Sequence, residues 1–315
     1  MWPYPAVIAH RGAGVMAPEN TLAAMRRGLA LGFRAVEFDV MLAADGVPVV
    51  VHDLRLGRTV AGRGQVPDYS AAQLQQMDAG SWFGAAYAQE RVPTFAQLLA
   101  FCQANRIWMN VEIKPAPGHE ARTGAVVAAA LDAFMRKAGD PGCAGPTAAR
   151  GSTSATNPAS PAGQTSVTNL ASLRSTMNAP VTSNAEPAHA AAPPPPAALL
   201  SSFSLTALAA ARQAAPAIAR ACLFDRLPVN WLSLVRELDA VAVHLNHRHL
   251  SAQGAAQVKA AGLALFCYTI NDPRRARLLL DWGMDAFCTD RLDLIGPDFA
   301  SQGAASGPAQ PQQGG

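Results

Sequence analysis

No block of basic side chains occurs in this sequence, and only 15% of its residues are charged, for a formal net charge of +3. Nucleic acid is therefore not an expected partner, because a nucleic-acid surface needs clustered Lys and Arg. No apolar run approaches the roughly 18 residues that a membrane span requires. The first residues, MWPYPAVIAH, also lack a basic segment leading into an apolar one. The expectation is a protein of the soluble cytoplasm with no stable membrane insertion. Cysteine is scarce: Cys102, Cys143, Cys222, Cys267 and Cys288 are odd in number, widely spaced and mostly set in apolar runs, so they read as reduced core residues.

What is present is a rhythm. Strand-like apolar runs end at His10, start at Ala35, Ile107, Ala198, Ile218, Ala240, Leu263 and Asp285, and alternate with stretches of helical period. Eight strand-helix units are the number that a (β/α)8 TIM barrel requires. Leu22, Met25 and Leu29 mark one helix face, and Phe95, Leu98, Leu99 and Cys102 another. Pro18 suits a first helical position, Thr94 suits an N-cap, and Gly262 and Gly283 suit helix ends.

Two segments interrupt this rhythm. Residues 54–93 mix glycine, arginine and aromatics, which predicts a folded cap inserted into the barrel domain of residues 1–299. Residues 138–197, rich in Ala, Ser, Thr, Pro and Gly, predict a disordered insertion, and residues 300–315 a disordered tail.

The chemistry sits at strand ends. Glu37 and Asp39 lie two apart on a strand and so project from one face, where two carboxylates can offer oxygen ligands to a hard divalent cation. The Ala44-Asp45-Gly46 turn folds the next strand back and predicts His52 opposite Glu37. Glu112 and Lys114 share a face of an otherwise apolar strand. They fit a third metal ligand and a phosphate-neutralising cation, or an ion pair on the barrel rim. His10 can exchange a proton with a reacting oxygen, Arg11 can fork onto an anionic oxygen pair, and Gly12 and Gly14 let the chain turn sharply beside them. His244, His247 and His249 lack helical metal spacing and predict a solvated strand end, while Phe203 and Tyr268 suit either the mouth or the core. GRTVAGRG lacks the Gly-Lys-Ser/Thr ending of a phosphate loop.

Taken in order, AHRG (Ala9 to Gly12), APENT (Ala17 to Thr21), EFDV (Glu37 to Val40), VVHD (Val50 to Asp53), VEIKP (Val111 to Pro115), LLSSF, YTIN from Tyr268 and CTD ending at Asp290 resemble the glycerophosphodiester phosphodiesterases. The resemblance spans nearly all of the chain outside residues 138–197 and the tail, and is nearest to the cytosolic bacterial enzymes. It implies a metal-dependent hydrolase of small glycerophosphodiesters such as glycerophosphocholine and glycerophosphoethanolamine. Glu37, Asp39 and Glu112 would hold one divalent cation, Mg²⁺ or Ca²⁺ with Mn²⁺ as an alternative. His10 and His52 would be the acid-base pair, and Arg11 and Lys114 would bind substrate phosphate. Nothing in the sequence excludes a homo-oligomer. Two other readings remain open at this level: a barrel phosphodiesterase of intact phospholipid, and a non-catalytic binder of phosphorylated metabolites.

Overall fold

Apolar runs that alternate with helices can pair only in parallel, because each crossover returns the chain to the same end of the sheet. A computed structural model describes residues 2–139 and 198–303. In chain order the elements are β1 (Val7–Ala9), α1 (Leu22–Ala30), β2 (Ala35–Leu42), β3 (Pro48–Val50), α2 (Ala71–Leu74), α3 (Phe95–Ala104), β4 (Trp108–Ile113) and α4 (Glu120–Gly139). They continue with β5 (Ala198–Ser202), α5 (Leu205–Ala214), β6 (Arg220–Phe224), α6 (Trp231–Glu237), β7 (Ala242–Asn246), α7 (Ala252–Ala260), β8 (Ala264–Tyr268), α8 (Pro273–Asp281) and β9 (Ala286–Thr289).

Eight of the strands run parallel in the order β1-β9-β8-β7-β6-β5-β4-β2, and a β1 to β2 pairing closes the ring. This is the expected (β/α)8 TIM barrel. The eighth unit is incomplete: among the described residues β9 is followed only by a 3-10 turn at Ser301–Gly303. Among the described residues no helix is long and apolar enough to cross a membrane.

Strand parity sorts the side chains. On β2, Val36, Phe38 and Val40 join Leu98, Leu99 and Cys102 of α3 in the layer between sheet and helices, which leaves Ala35, Glu37 and Asp39 facing the barrel interior. The Phe38 ring lies 6.1 Å from Phe95, and truncation of so buried a phenyl ring to alanine costs about 3–5 kcal/mol. At the N-terminal end of the strands Tyr4 stacks on Trp108 at 4.6 Å, and Trp2 meets Trp108 edge-on at 5.7 Å, closing the barrel floor. Thr94 caps α3 in a reciprocal box with Gln97, as its sequence predicts. Gly262 and Gly283 follow α7 and α8 with φ of 76° and 91°.

Three local expectations are corrected. Pro18 does not open α1; Thr21 is the N-cap, and its hydroxyl donates to the Pro18 carbonyl at 2.7 Å. The β2 to β3 ladder pairs Val40 with Val50 and Leu42 with Pro48. Extending that register puts position 52 opposite Phe38, one residue away from Glu37, because Ala44, Asp45 and Gly46 form a three-residue loop closed by Ala43 and Val47. His52 reaches the interior by a different route, described below. His244 is not at a solvated strand end but lies 1% exposed inside the barrel, its ring stacked on Phe266 at 4.2 Å.

The segment 54–93, expected as a cap, buries Val60, Val66, Leu74, Ala79 and Val92 against Met41, Val49 and Val51 in one small apolar cluster. Isolated bridges from Arg55 to Gln65 and from Asp78 to Arg91 tie its loops. Residues 138 and 139 belong to α4 and residues 300–303 are also described; the rest of the expected disordered insertion and tail lies outside the described residues. Cys102, Cys222, Cys267 and Cys288 are buried free thiols, and Cys143 lies outside the described residues.

Candidate active site

The chain leaves β1 through a tight turn at His10–Gly12. Arg11 has φ 49° and ψ 31°, a left-handed conformation uncommon outside glycine. Its surroundings hold it there. The Arg11 N–H donates to Glu37 Oε2 at 3.2 Å, its Nη1 donates to Glu19 Oε1 at 2.8 Å, and its carbonyl accepts from the Asn20 N–H at 3.0 Å. Gly14 is required one step later, because a Cβ there would stand 2.2 Å from the Cα of Asp290. That close approach of the β1 exit to the β9 exit brings His10 Nδ1 to 2.5 Å from Asp290 Oδ1. Asp290 also accepts from Asn271 Nδ2 at 2.9 Å.

On the interior face of β2 and β4, Glu37, Asp39 and Glu112 each offer an oxygen within 4.8 Å of the others. Asp39 and Glu112 are register partners on adjacent parallel strands. Two carboxylates at that separation repel by roughly 3 kcal/mol at an effective dielectric of about 20, which exceeds a full pKa unit. The groups respond accordingly. Burial, followed by Asp39 and Glu112, pushes Glu37 well above the usual carboxylate range. Burial and then Asp39 push Glu112 up to about 8. Burial also acts on Asp39, but Arg11, Lys114, His52 and the Asn20 amide outweigh it and hold its carboxyl below the usual range. Asn20, itself left-handed with φ 58°, donates from Nδ2 to Asp39 Oδ2 at 2.8 Å. Lys114 Nζ lies 3.6 Å from Asp39 and 3.9 Å from Glu112. An all-oxygen trio in which burial and mutual repulsion raise two of the pKa values fits a hard divalent cation, which would relieve the repulsion that Arg11 and Lys114 leave uncompensated.

His52 is delivered by the end of the hairpin. Val51 donates its N–H to the Asp39 carbonyl at 3.1 Å, and the chain then bends off the ladder. His52 Nδ1 is 2.6 Å from Asp53 Oδ1. Burial, with help from Arg11 and Lys114, outweighs Asp39 and Asp53 and lowers the His52 pKa, so the ring is neutral at pH 7. A neutral ring that gives its Nδ1 proton to a carboxylate keeps a lone pair on Nε2. His10 Nδ1 likewise faces a carboxylate, that of Asp290, and its Nε2 is 3.8 Å from Glu37 Oε2.

A cavity of about 260 Å³ is lined by His10, Arg11, Glu37, His52, Glu112 and Lys114, with Asn110 and His244 also on its wall. Asp39 stands just behind it, in contact with Arg11 and Lys114. All seven residues singled out from the sequence are thus brought together. Phe203 and Tyr268 form an edge-to-face pair at 5.7 Å on the same wall, with Phe203 51% exposed. The larger groove between α6 and α7, about 900 Å³, contains the carboxylate Asp225, already 3.4 Å from His249, and lacks such a cluster. Among the described residues the histidines of VHLNHRHL belong to no metal-holding group.

The sequence reading missed the residues that orient this set. Asn20, Asp53, Asn271 and Asp290 lie inside the quoted motifs, so position alone pointed to them. Arg58 carried no such signal; it donates to Asp53 and, through both terminal nitrogens, to Glu19 at 2.7 and 3.0 Å.

Comparison with known proteins places the chain among relatives of one family. The model of the Glycerophosphoryl diester phosphodiesterase family matches residues 10–147 and 181–294. A glycerophosphodiester phosphodiesterase of Caldanaerobacter subterraneus is 42% identical over 108 residues, covering 34% of this chain and 44% of that protein. The matches to such curated relatives span less than half of their length. A solved phosphodiesterase of Oleispira antarctica, in complex with the product sn-glycerol-3-phosphate, is 29% identical with a TM-score of 0.71, covering 96% of this chain and 97% of that one. A glycerophosphodiester phosphodiesterase structure from Agrobacterium tumefaciens, 22% identical with a TM-score of 0.64 and covering 95% of this chain and 100% of that one, shares the fold.

Proposed function

The chain belongs to the glycerophosphoryl diester phosphodiesterase family, and from that premise we propose that it hydrolyses small glycerophosphodiesters, such as glycerophosphocholine or glycerophosphoethanolamine, to sn-glycerol 3-phosphate and the free alcohol. The observation that carries this reading is the meeting of two carboxylate-held histidines, Glu37 and Glu112 in one cavity, with Asp39 directly behind them and within reach of the same cation. The Oleispira antarctica relative, with glycerol 3-phosphate as its product, supports the substrate class.

In this reading Glu37, Asp39 and Glu112 hold one divalent cation, Mg²⁺ or Ca²⁺, or Mn²⁺ in their place. When bound, such a cation polarises the phosphoryl oxygens and lowers the pKa of an oxygen nucleophile. Arg11 and Lys114 bind the remaining phosphoryl charge. One histidine, unprotonated at Nε2, takes the proton of the attacking hydroxyl, while the other enters the step as an imidazolium and gives its Nε2 proton to the departing alkoxide, so that one P–O bond forms as the other breaks. Asp290 and Asp53 each accept from Nδ1–H, which orients Nε2 of both rings whether that nitrogen takes or gives the proton. The soluble cytoplasm is the proposed setting, supported by the four buried free thiols.

The test is release of glycerol 3-phosphate from a panel of glycerophosphodiesters by the purified protein, with Mg²⁺, Ca²⁺ or Mn²⁺ added in turn. No release from any diester with any of the three cations rejects the reading.

A further inference from the structure

The cap contributes one side chain to the chemistry beneath it. Arg58 lies in the loop that the Arg55 to Gln65 bridge closes, with its side chain about half exposed. Its guanidinium nevertheless makes three hydrogen bonds to two carboxylates. Nη1 and Nη2 donate to the two oxygens of Glu19 at 3.0 and 2.7 Å, and Nε donates to Asp53 Oδ2 at 2.5 Å. Each carboxylate spends its remaining capacity on a residue of the cavity: Glu19 Oε1 accepts from Arg11 Nη1 at 2.8 Å, and Asp53 Oδ1 holds His52 Nδ1 at 2.6 Å. The result is a chain of hydrogen-bonded pairs running Arg11, Glu19, Arg58, Asp53, His52, with Arg11 Nε 3.5 Å from Asp39 at its inner end.

We propose that Arg58 is a positioning residue that sets Arg11 through Glu19 and His52 through Asp53, so that one cap side chain aligns both the phosphate-binding and the proton-moving groups. This rests on the roles given above to Arg11 and His52. The fork of a guanidinium is what the task requires, since it can bridge two carboxylates in fixed directions, whereas an ammonium is a point charge. Asp53 is held at about 2, burial being opposed by Arg58 and then His52, so it stays an acceptor for His52 throughout the neutral range. Burial acts on Glu19 as well, and Arg58 with Arg11 overcomes it.

Two separable arms follow. Glu19→Gln loosens Arg11 and raises KM, Asp53→Asn loosens His52 and lowers kcat, and Arg58→Ala does both. The kcat loss is about 10- to 100-fold, as for other partners that orient reacting groups at one remove. Arg58→Lys recovers one arm but not both. A residue that only stabilised the cap would lower Tm without this division.

The experiment measures kcat, KM and Tm on glycerophosphocholine for wild type, Arg58→Ala, Arg58→Lys, Glu19→Gln, Asp53→Asn, and the Glu19→Gln/Asp53→Asn double variant with and without Arg58→Ala. Nitrogen NMR of the imidazoles adds a readout independent of turnover: His52 is a single tautomer in wild type and a mixture in Arg58→Ala. The expected result is the split just described, with Arg58→Ala adding almost nothing to the double variant. Wild-type kcat and KM in Arg58→Ala, a loss that multiplies undiminished onto the double variant, or an unchanged His52 tautomer overturns the proposal. Lack of turnover in the wild type instead counts against the proposed function, and the tautomer measurement still decides the role of Arg58.

Discussion

His10 Nδ1 stands 2.5 Å from Asp290 Oδ1, a contact between residues 280 positions apart that exists only because the ring of strands closes between β1 and β9. With the carboxylate accepting from Nδ1–H, the ring is oriented with Nε2 on the Glu37 side, where it can exchange a proton.

Asp290→Asn should therefore cripple the reaction without unfolding the barrel. An amide can donate to Nδ1 as readily as accept from it, which releases the tautomer. Loss of a correctly placed acid or base costs about 10²- to 10⁴-fold in kcat, while Tm should move by only a few degrees. Steady-state kinetics beside a thermal melt checks this; undiminished kcat removes Asp290 from the account.

Alanine at His10 and at His52 should separate the two proton transfers. A choline alkoxide leaves poorly without a proton and a nitrophenolate leaves readily. Loss of the general acid should thus hurt glycerophosphocholine far more than a nitrophenyl diester, and loss of the general base should hurt both alike. Rates on both substrates at saturating metal supply the comparison. Equal losses on both substrates for both variants mean that the histidines position groups rather than move protons.

Metal binding should change how stability depends on pH. Without a cation Glu112 has its pKa raised to about 8, from an ordinary value of 4.5. The folded state therefore binds more protons than the unfolded state between those values, and stability falls as pH rises through that window, by about 1.4 kcal/mol per pH unit for one such group. Urea unfolding of chelated protein at pH 6.5 and pH 8 should show the fall, Glu112→Gln should lessen it by that group's share, and added Mg²⁺ or Ca²⁺ should abolish it. Calorimetry should find divalent-ion affinity weakened in Glu37→Gln, Asp39→Asn and Glu112→Gln; unaltered affinity in all three places the cation elsewhere.

His244 should act in the opposite direction on the acid side. Burial lowers its pKa to about 3 from 6.5, so the unfolded state binds the extra proton and stability is lost as pH falls from about 6.5 toward 3. His244→Phe, which keeps an aromatic ring against Phe266, should be less sensitive to acid in that range. Between 4.5 and 6.5 the slopes from His244 and Glu112 oppose each other, so the variant must be compared with wild type in a Glu112→Gln background. Parallel stability profiles for the two would rule His244 out as an acid-sensitive group.

Much of the site was legible before any coordinates. The alternation of Val36, Phe38 and Val40 with Glu37 and Asp39 states which face carries the carboxylates, and the same parity assigns Glu112 and Lys114. The hairpin was legible in kind but not in register: a three-residue loop where His52 was placed as if one residue had shifted, and His52 reaches the cavity by a bend that no ladder extrapolation contains. His244 was misplaced because a polar residue near a strand end looks solvated from its neighbours, although its position in a closed barrel is interior. Arg58 was invisible, since nothing local distinguishes an arginine that bridges two carboxylates from one that faces water.

The sequence by itself determined the eight strands, most of their helices, and the strand face that carries Glu37, Asp39, Glu112 and Lys114. These follow from period, turn chemistry and capping, which act over a few residues. Only the tertiary structure decided the partners: Asp290 for His10, Asp53 for His52 with Arg58 on Asp53, Asn20 for Asp39, and the burial and drawing together of three carboxylates that raise the pKa of two of them. Those are facts of strand register and ring closure. A window of local sequence contains neither, because the energy that sets them comes from packing and charge between segments up to 280 positions apart.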